Sequence, residues 1–486
     1  MITSNTYRRI SYLAIILFWV VTTALLISRH YGSYKFPVSS IQGTVIPEDL
    51  FEEQWLGIYL KGEKVGYSSR KMEKRKNGYG ITESLKMKIK MMETEKNIET
   101  LIDADLDTNL KLLSFNFWLR SDLDMDVSGR VESKHLIADI NTGGKKSTQT
   151  IRFGKEPYLS ISALPNILKD GLKKGRKISM SVFDPSVMSI GEMNLEVLEK
   201  VPLMSMGRMQ EAYKLKGEVK GVEFAVWITE KGEVLKEESP LGLMLIKERK
   251  EDAMKVGSPS TDLIAQTAVP FNIKLKPGTD YLKVRLSGID LKGLEIDGGR
   301  QRLKGDVVEI RKEVIGKGSE VRGQGSGVSD EYLKETMFIQ SKDPQVVSLS
   351  NNIVKDEKDA VRASKLLYEW VYESIEKVPT MSVPMSTEVL KAKRGDCNEH
   401  ATLFTALSRA AGIPARIAIG LTYKDGFFYY HAWPEIFAGR WVAIDPTLGQ
   451  FPADAAHIRL ITGDIDRQAQ LLPVIGKIKI EGFEHK

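Results

Sequence analysis

Alternating apolar and polar positions dominate the chain between residues 50 and 255. At residues 85–91 every second residue is apolar and the residues between them are lysines, which predicts a strand with one apolar and one cationic face. Similar runs recur at residues 113–119, 136–140 and 224–228. We therefore predict one large, mostly antiparallel β domain at residues 50–255.

The pattern changes towards the C-terminus. A smaller β-rich unit is predicted at residues 256–315, and it is followed by a glycine-rich segment at residues 316–331 that is typical of a flexible linker. At residues 360–375 apolar residues recur at helical spacing instead. This helix lies near the start of a final domain, predicted at residues 332–470, and residues 471–486 are predicted to be a tail.

The N-terminus contains an uncharged, mostly apolar run at residues 10–27. As a helix it would be about 27 Å long, close to the hydrocarbon thickness of a bilayer. We predict a transmembrane anchor at residues 1–30 and a tether at residues 31–49. Basic residues before the apolar run favour a cytoplasmic N-terminus, which would place the bulk of this single-pass protein outside the cytoplasm, in the periplasm or at the cell surface. No small-x-small cleavage site stands out, so a retained anchor is favoured over a cleaved signal peptide.

Composition narrows the class of protein. A hydrophobic share of 42% and a charged share of 28% are ordinary for a folded protein. The net charge is only +6, from 70 basic and 64 acidic residues that are spread along the chain, so nucleic acid is not an expected partner. The chain contains one cysteine. Because a single cysteine forms no internal disulfide, a free thiol outside the cytoplasm needs a functional explanation.

That cysteine, Cys397, lies at the predicted start of an amphipathic helix. Asp396 and Glu399 form a capping-box pattern, in which Asp396 is the N-cap and Cys397 is the first helical residue. The helix is predicted to end at Gly412. Free N–H groups and the helix dipole favour a thiolate at this position. Asp396 acts against it, since its negative charge would raise the thiol pKa unless a cation compensates.

Two further candidate residues follow in a predicted hairpin. If residues 438–440 form its loop, His431 faces Thr447, and Asp445 is a diagonal neighbour of His431 on the same face of the sheet. A loop with an even number of residues would put them on opposite faces. Taken alone, a cysteine, a histidine and an aspartate each have a structural explanation. Together they supply a nucleophile, a base and an orienting carboxylate for thiol acyl transfer.

The residues around these three positions resemble the transglutaminase-like superfamily. Four segments occur in the order found in that family: GDCNEHA at residues 395–401, AGIPAR at 411–416, YYHAWPEIF at 429–437 and WVAIDPT at 441–447. The resemblance covers about residues 335–465 and implies a papain-like α+β domain with a catalytic triad at Cys397, His431 and Asp445. The segment WLGIYLKGEKVGYSS at residues 55–69 resembles membrane-anchored bacterial transglutaminase-like proteins, a likeness that carries no known activity.

The predicted fold class is therefore α+β, with a C-terminal papain-like core preceded by an antiparallel β-rich domain and a transmembrane helix. The predicted function is acyl transfer or hydrolysis at a protein or peptide amide through a cysteine thioester. Water as acceptor would make the protein a peptidase or amidase, and an amine would make it a crosslinker. The alternative is a non-catalytic extracytoplasmic scaffold that binds a ligand through the β-rich domain.

No cofactor or metal is expected. A zinc site at Cys397, His400 and His431 is disfavoured, because Cys-x-x-His is half of a pattern whose other half is missing. No calcium loop of the EF-hand type is present, so calcium activation is not implied. The expected partners are a protein or peptide substrate and the membrane, and the sequence leaves the oligomeric state open.

Overall fold

The structure is a computed structural model. It describes residues 51–91, 94–122, 124–142, 144–168, 171–186, 188–219, 221–239, 242–260, 262, 267–315, 330–380, 384–471 and 474–486. The predicted anchor, the predicted tether and all but two residues of the predicted glycine-rich linker lie outside the described residues. Of the helices that are described, none has the length and apolar character needed to cross a bilayer. The described residues fall into two compact units, 51–262 and 267–486.

The first unit, here called the β domain, is built around one large sheet. Its strands are β1 Gln54–Leu60, β2 Glu63–Arg75, β3 Gly78–Met91, β4 Thr94–Leu106, β5 Leu112–Arg120, β6 Met125–Glu132, β7 His135–Thr142, β8 Lys145–Arg152, β9 Tyr158–Leu159, β10 Lys177–Asp184, β11 Ser189–Ser205, β12 Arg208–Val219, β13 Val222–Ile228, β14 Val234–Glu238 and β15 Leu243–Glu248. Short helices α1 (Leu164–Leu168) and α2 (Lys250–Ala253) lie between strands.

The strands of the β domain form two meanders that share one sheet. The order is β8-β7-β6-β5-β4-β3-β2-β1-β15-β14-β13-β12-β11-β10-β9. The meanders join where β1 pairs with β15 in antiparallel register, with Ile58 opposite Leu245. Although β5 and β10 are far apart in this order, the rings of Phe115 and Phe183 lie 5.0 Å apart between centroids. The sheet therefore curls so that its two arms face each other.

The alternation seen in the sequence explains this sheet. In β3 the side chains of Met87, Ile89 and Met91 are buried and Lys86 is exposed, as the period-two pattern predicts. The other predicted strands are also present, within β5, β7 and β13. The β-rich region expected from the sequence is thus present and is mostly antiparallel, with β9 and β10 as a parallel pair.

The second unit combines helices with smaller sheets. Its strands are β16 Val269–Pro270, β17 Tyr281–Ser287, β18 Gln301–Lys304, β19 Val307–Arg311, β20 Glu376–Lys377, β21 Arg394–Gly395, β22 Ala415–Lys424, β23 Phe427–Phe437, β24 Trp441–Ala443, β25 His457–Thr462 and β26 Lys479–His485. Its helices are α3 Pro344–Val354, α4 Ala360–Ser374, α5 Ser386–Ala392, α6 Cys397–Ala410 and α7 Ile465–Gln468. The helices of the described chain concentrate here, as the predicted α+β class requires.

Helix α6 is the central helix of this unit. Its residues are buried from Cys397 to Ser408, and Arg409 is 8% exposed. It contacts β22 and β23 of the sheet ordered β16-β23-β22-β25, and helices α3, α4 and α5 also contact it. The predicted cap at Asp396 is present, and the helix ends just before Gly412, whose φ of 75° suits glycine.

The structure differs from the predicted boundaries of the smaller β-rich unit and the tail. Strand β26, from the predicted tail, pairs with β17, with Ile480 opposite Leu286. Strand β16 pairs with β23, with Val269 opposite Phe428. Residues 267–315 and 474–486 therefore belong to the same compact unit as the helices. Periodicity reports on neighbouring residues only, so it did not reveal pairing between segments that are distant in sequence.

Candidate active site

The start of α6 is held by a complete capping box. Oδ1 of Asp396 accepts a hydrogen bond from the backbone N–H of Asn398 at 2.9 Å, and Oε2 of Glu399 accepts one from the N–H of Asp396 at 2.9 Å. This reciprocal pair satisfies N–H groups that have no partner inside the helix. It fixes Cys397 as the first helical residue, with its side chain fully buried.

Burial determines the protonation of Cys397. It raises the pKa of the thiol, and the nearby charge of Asp396 raises it further, whereas the backbone N–H of Ala432 donates to the sulfur and lowers it. Sγ lies 3.8 Å from Oδ1 of Asp396, to which the thiol donates. The helix start alone therefore does not make this cysteine a thiolate, and ionisation requires a base that takes the proton.

Asp396 is less of an obstacle than its formal charge suggests. Burial and the neighbouring Glu399 both raise the pKa of the Asp396 carboxyl well above its usual range. A neutral Asp396 does not repel a thiolate at Cys397, and it still accepts the capping hydrogen bond from Asn398. The raised pKa of Asp396 therefore weakens its opposition to a thiolate at Cys397.

His431 and Asp445 are in contact, as the sequence predicted, but they are not diagonal neighbours within the sheet. Residues 438–440 form the loop, and Phe437 pairs with Trp441. The ladder ends at Ala443, so Asp445 reaches His431 from the turn after β24 instead of as a diagonal neighbour within the sheet. Nε2 of His431 lies 2.6 Å from Oδ2 of Asp445, and both side chains are fully buried.

Asp445 is held as a carboxylate. Its Oδ1 accepts hydrogen bonds from the backbone N–H groups of Thr447 at 2.8 Å and Leu448 at 2.9 Å. Burial alone would raise its pKa. The charges and hydrogen bonds of His431 and His457 outweigh burial and hold the pKa of Asp445 well below its usual range.

The second ring nitrogen of His431 is available for chemistry. Because Nε2 faces the carboxylate of Asp445, the neutral ring carries its proton there and its lone pair on Nδ1. Nδ1 is buried and has no hydrogen-bond partner. The sulfur of Cys397 accepts a hydrogen bond from the backbone N–H of Ala432, the residue that follows His431 in the chain. The structure thus brings Cys397, His431 and Asp445 to one site.

Sequence analysis missed a second histidine at this site. His457 lies on β25, where it pairs with Thr422 of β22. Its Nε2 is 3.0 Å from Oδ2 of Asp445, and its Nδ1 is 3.1 Å from Oδ1 of Asp454. Burial lowers the pKa of His457, but the two carboxylates outweigh burial and raise it to about 9. His457 is therefore a buried imidazolium between two carboxylates.

Asp454 is anchored in turn by backbone groups. Its Oδ2 accepts from the N–H of Gly278 at 3.1 Å and its Oδ1 from the N–H of Ala456 at 3.0 Å. Gly278 comes from the segment that was predicted to be a separate β-rich unit. In the sequence, the only sign of these contacts is that Asp445, Asp454 and His457 lie near one another. This spacing indicates a contact only once β25 is known to pair with β22.

One group of side chains in the described residues could in principle hold a metal ion. The ligating atoms of His431, Asp445 and His457 all lie within 4.8 Å of one another. Tetrahedral zinc with bonds of about 2.1 Å would hold two ligand atoms about 3.4 Å apart, whereas Nε2 of His431 and Oδ2 of Asp445 are 2.6 Å apart. The distance fits a direct hydrogen bond and not a shared metal.

The zinc site considered from the sequence included His400. Nδ1 of His400 lies 2.6 Å from the backbone oxygen of Asp396, and burial lowers the pKa of this histidine to about 4. His400 is thus a neutral ring that caps its own helix turn. Its Nε2 is buried without a partner, and the convergent metal-binding group described above includes neither His400 nor Cys397.

Comparison with known families agrees with this site. Residues 347–446 match the family model described as the transglutaminase-like superfamily. The match includes Cys397, His431 and Asp445, and it confirms the resemblance that the four sequence segments indicated. A search of curated proteins found no match for the chain.

Solved structures give only weak overall likenesses. A proposed cysteine protease from Cytophaga hutchinsonii is 18% identical, with 45% of this chain and 82% of that chain covered and a TM-score of 0.29. A β-barrel-like protein with a domain of unknown function from Brucella abortus is 9% identical, with 41% and 98% covered and a TM-score of 0.32. A proposed protease from Parabacteroides distasonis is 11% identical, with 66% and 63% covered and a TM-score of 0.19.

Proposed function

From a transglutaminase-like region at residues 347–446, we propose that this chain is a thiol enzyme that breaks or exchanges amide bonds. The substrate is a protein or peptide carboxamide, and the intermediate is a thioester on Cys397. The observation that supports this best is the polarity of His431. Its Nε2 is bound to Asp445 at 2.6 Å, while Nδ1 is buried and unpartnered beside the residue whose N–H contacts the sulfur.

The first half of the reaction forms the thioester. Nδ1 of His431 takes the thiol proton as Sγ of Cys397 attacks the amide carbon, and the carbonyl oxygen becomes an oxyanion. The backbone N–H of Cys397 is the first candidate to stabilise that oxyanion. When the tetrahedral intermediate collapses, the C–N bond breaks and the imidazolium gives its proton to the leaving amine. Asp445 stabilises the imidazolium without taking its proton.

The second half releases the acyl group. His431 removes a proton from the acceptor as the acceptor attacks the thioester carbon. The C–S bond then breaks as the tetrahedral intermediate collapses, and the imidazolium returns the proton to the thiolate of Cys397. With water as acceptor the product is a carboxylic acid, and with a primary amine it is a new amide. His457 does not touch the reacting atoms in this scheme. It positions Asp445, since its Nε2 donates to the same Oδ2 that His431 binds.

We further propose that the chain acts outside the cytoplasm, held by an uncut anchor at residues 1–30. The support is the apolar run in the sequence with basic residues before it. Recovery of the full N-terminus by sequencing of membrane-extracted protein is expected. A mature N-terminus near residue 30 would show that the segment is a signal peptide instead.

The test of the activated cysteine uses the alkylation rate of the full chain. Because Cys397 is the only thiol in the sequence, every cysteine label reports on it. Measured across about pH 4 to 9, alkylation is expected to persist well below the free-thiol pKa of about 8.5, since His431 accepts the proton. In His431→Ala, burial should move the alkylation profile above that value.

The matched control is His135→Ala, which removes an exposed histidine from β7 of the other unit. It should leave the alkylation profile unchanged. If wild type and His431→Ala gave the same profile, the proposed Cys–His pair would be wrong, and the thiol would be structural.

The alternative function, a non-catalytic scaffold, predicts a different response to Cys397→Ala. A scaffold should keep its cellular role when alanine replaces the thiol. The enzyme should lose that role while its fold and abundance stay intact, because the cysteine contributes little volume to the packing of α6. A complete and buried triad favours the enzyme, since binding alone gives no reason to bury Asp445 and two histidines together.

A further inference from the structure

The curled sheet of the β domain encloses a cavity of about 230 Å³. The cavity lies between the two arms of the sheet, which meet near the contact of Phe115 with Phe183. It is larger than the roughly 150 Å³ of an engineered apolar cavity that admits benzene. Protein interiors are close-packed, and lining atoms beside an empty space lose their van der Waals partners. A cavity of this size has room for a small apolar molecule.

Apolar side chains from both arms line most of the cavity. From one arm come Ile58, Met87 and Phe117, and from the other come Val182, Leu195 and Leu245. All six are buried, with exposures of 6% or less. Since they lie on several strands that face one space, the wall is continuous, and an apolar body is the ligand that such a wall accepts.

The charged part of the lining is mainly acidic. Arg70 donates to Oε1 of Glu83 at 2.6 Å and to Oε1 of Glu237 at 2.5 Å, so its charge is already neutralised by two carboxylates. Asp184 and Glu238 also line the cavity. An anionic head group would meet an excess of negative charge here and find no free arginine.

A neutral hydrogen-bonding group lies on the same face of the sheet as part of the cavity wall. Ser68 pairs with Leu85, which lines the cavity, so the two side chains share one face of the sheet. The hydroxyl oxygen of Ser68 is buried and has no hydrogen-bond partner. It can donate to an uncharged oxygen of a ligand, which would supply the missing bond.

We propose that the β domain binds the acyl chain of an uncharged amphiphile, such as a monoacylglycerol, within this cavity. The chain lies against the apolar wall and the uncharged ester or hydroxyl end lies near Ser68. The site is separate from Cys397 and does not depend on the proposed enzymatic activity. Binding should therefore be unchanged in Cys397→Ala.

The test is photo-crosslinking with a medium-chain monoacylglycerol that carries a diazirine on its acyl chain. The full chain is held in an amphipathic polymer so that no free detergent competes for the cavity. Peptide mapping should place the label on the cavity-lining strands β3, β4 and β11. Leu195→Trp fills the cavity. With the probe below saturation, where labelling follows affinity, it should reduce labelling at these strands by at least roughly tenfold.

The control variant is Asn194→Trp. It adds the same side chain one residue away on β11, where the side chain is exposed on the other face. Labelling should match wild type. Since Leu195→Trp could also lose labelling by misfolding, Ala163→Leu provides a milder filling of the same cavity and should give an intermediate loss. Equal labelling in all variants, or no label in the β domain, would overturn the proposal.

Competition tests the charge argument separately. Unlabelled monoacylglycerol should displace the probe, whereas the fatty acid of the same chain length should displace it poorly at neutral pH, because its carboxylate faces Glu83 and Glu237. Displacement by the fatty acid anion as efficient as by the neutral ester would show that the head group is not selected by charge, and would overturn the assignment to uncharged amphiphiles.

Discussion

The two units of this protein differ in how deeply their most buried ion pairs lie. In the β domain most ion pairs lie on the outer faces of strands, as in the pair of Lys86 with Glu99, whose side chains are 48% and 40% exposed. In the C-terminal unit, Glu435 and Arg459 pair with side-chain exposures of 2% and 4%. An exposed pair follows from strand alternation alone. A buried pair needs a fold that supplies every partner, because desolvation is costly.

The buried ion pairs of the C-terminal unit lie close to the candidate active site. The Glu435 carboxylate is bound on one side by Arg416, at 2.6 Å, and on the other by Arg459, at 3.2 Å. Glu435 lies on β23, which also carries His431, and Arg459 lies on β25, which also carries His457. Burying charge beside the proposed triad is unfavourable unless it fixes the positions of the strands, and a fixed position is what His431 needs in its proposed role as base.

The largest expected effect comes from removing the central carboxylate charge. Glu435→Gln leaves Arg416 and Arg459 without an anionic partner in a buried site, and it should destabilise the C-terminal unit by about 3–5 kcal/mol. The matched change in the β domain, Glu99→Gln, removes an exposed partner of Lys86 and should cost about 0–1 kcal/mol. Hydrogen exchange of peptides from β23 and from β4 measures the opening of each unit separately.

A small effect of Glu435→Gln, comparable with that of Glu99→Gln, would contradict the comparison. It would mean that water or rearranged backbone carbonyls satisfy the two arginines as well as the carboxylate does. Arg459 already donates to the backbone oxygens of Glu295 and Gly298, so the measurement decides whether such oxygens can replace the carboxylate.

The next effect depends on pH and concerns His457. Its pKa is raised from 6.5 to about 9 in the folded protein. Its charge therefore stabilises the fold fully below about pH 6.5, and this contribution is lost as the pH rises through about 9. The shift corresponds to about 3 kcal/mol. The free-energy difference between wild type and His457→Gln should be largest at acidic to neutral pH and should shrink towards pH 10.

Hydrogen exchange gives a local readout for this prediction. Measured on peptides from β23 in urea and corrected for the intrinsic exchange rate at each pH, it reports the opening of the C-terminal unit alone. Lys377, whose pKa is lowered to about 8 by burial, titrates in the same range but is present in both proteins, so its contribution cancels in the difference. A difference that stays constant with pH would show that His457 is not a buried cation.

How far the sequence predicted the structure also differs between the units. In the β domain, strand alternation at residues 85–91 was enough to predict the faces of β3. Every pairing in this sheet joins strands that are adjacent in the chain, except that of β1 with β15. In the C-terminal unit, local signals predicted the capping box at Asp396 and the loop at residues 438–440. Both depend on residues within one turn or one hairpin.

What the sequence left open depends on pairing between distant segments. The role of His457 exists only because β25 lies beside β22, and Asp454 is held by Gly278, which is far away in sequence. The burial of Cys397 was also unforeseen. A helix start suggested an ionised thiol, but the packing of α6 on all sides decides that the proton stays until a base removes it.

The smallest expected effect tests how tightly β22 and β25 must approach. Gly420 of β22 pairs with His431 on one side and Arg459 on the other. A Cβ atom at this position would lie 1.9 Å from the backbone oxygen of Ile458. Because a backbone oxygen in a sheet cannot turn aside, Gly420→Ala should push β25 away and cost about 1–3 kcal/mol, as overpacking does.

A glycine of the β domain provides the comparison. A Cβ at Gly217 would lie 2.1 Å from the ring of Phe224, and that ring lines the cavity and has space to move into. Gly217→Ala should therefore lower the free energy of unfolding less than Gly420→Ala does, although the two distances are similar. In Gly420→Ala the pH dependence of unfolding should also weaken, since β25 carries His457 away from Asp445. If Gly420→Ala kept the full pH dependence of unfolding, the contact of His457 with Asp445 would tolerate displacement of β25. The close packing of β22 and β25 would then serve the fold and not the proposed triad.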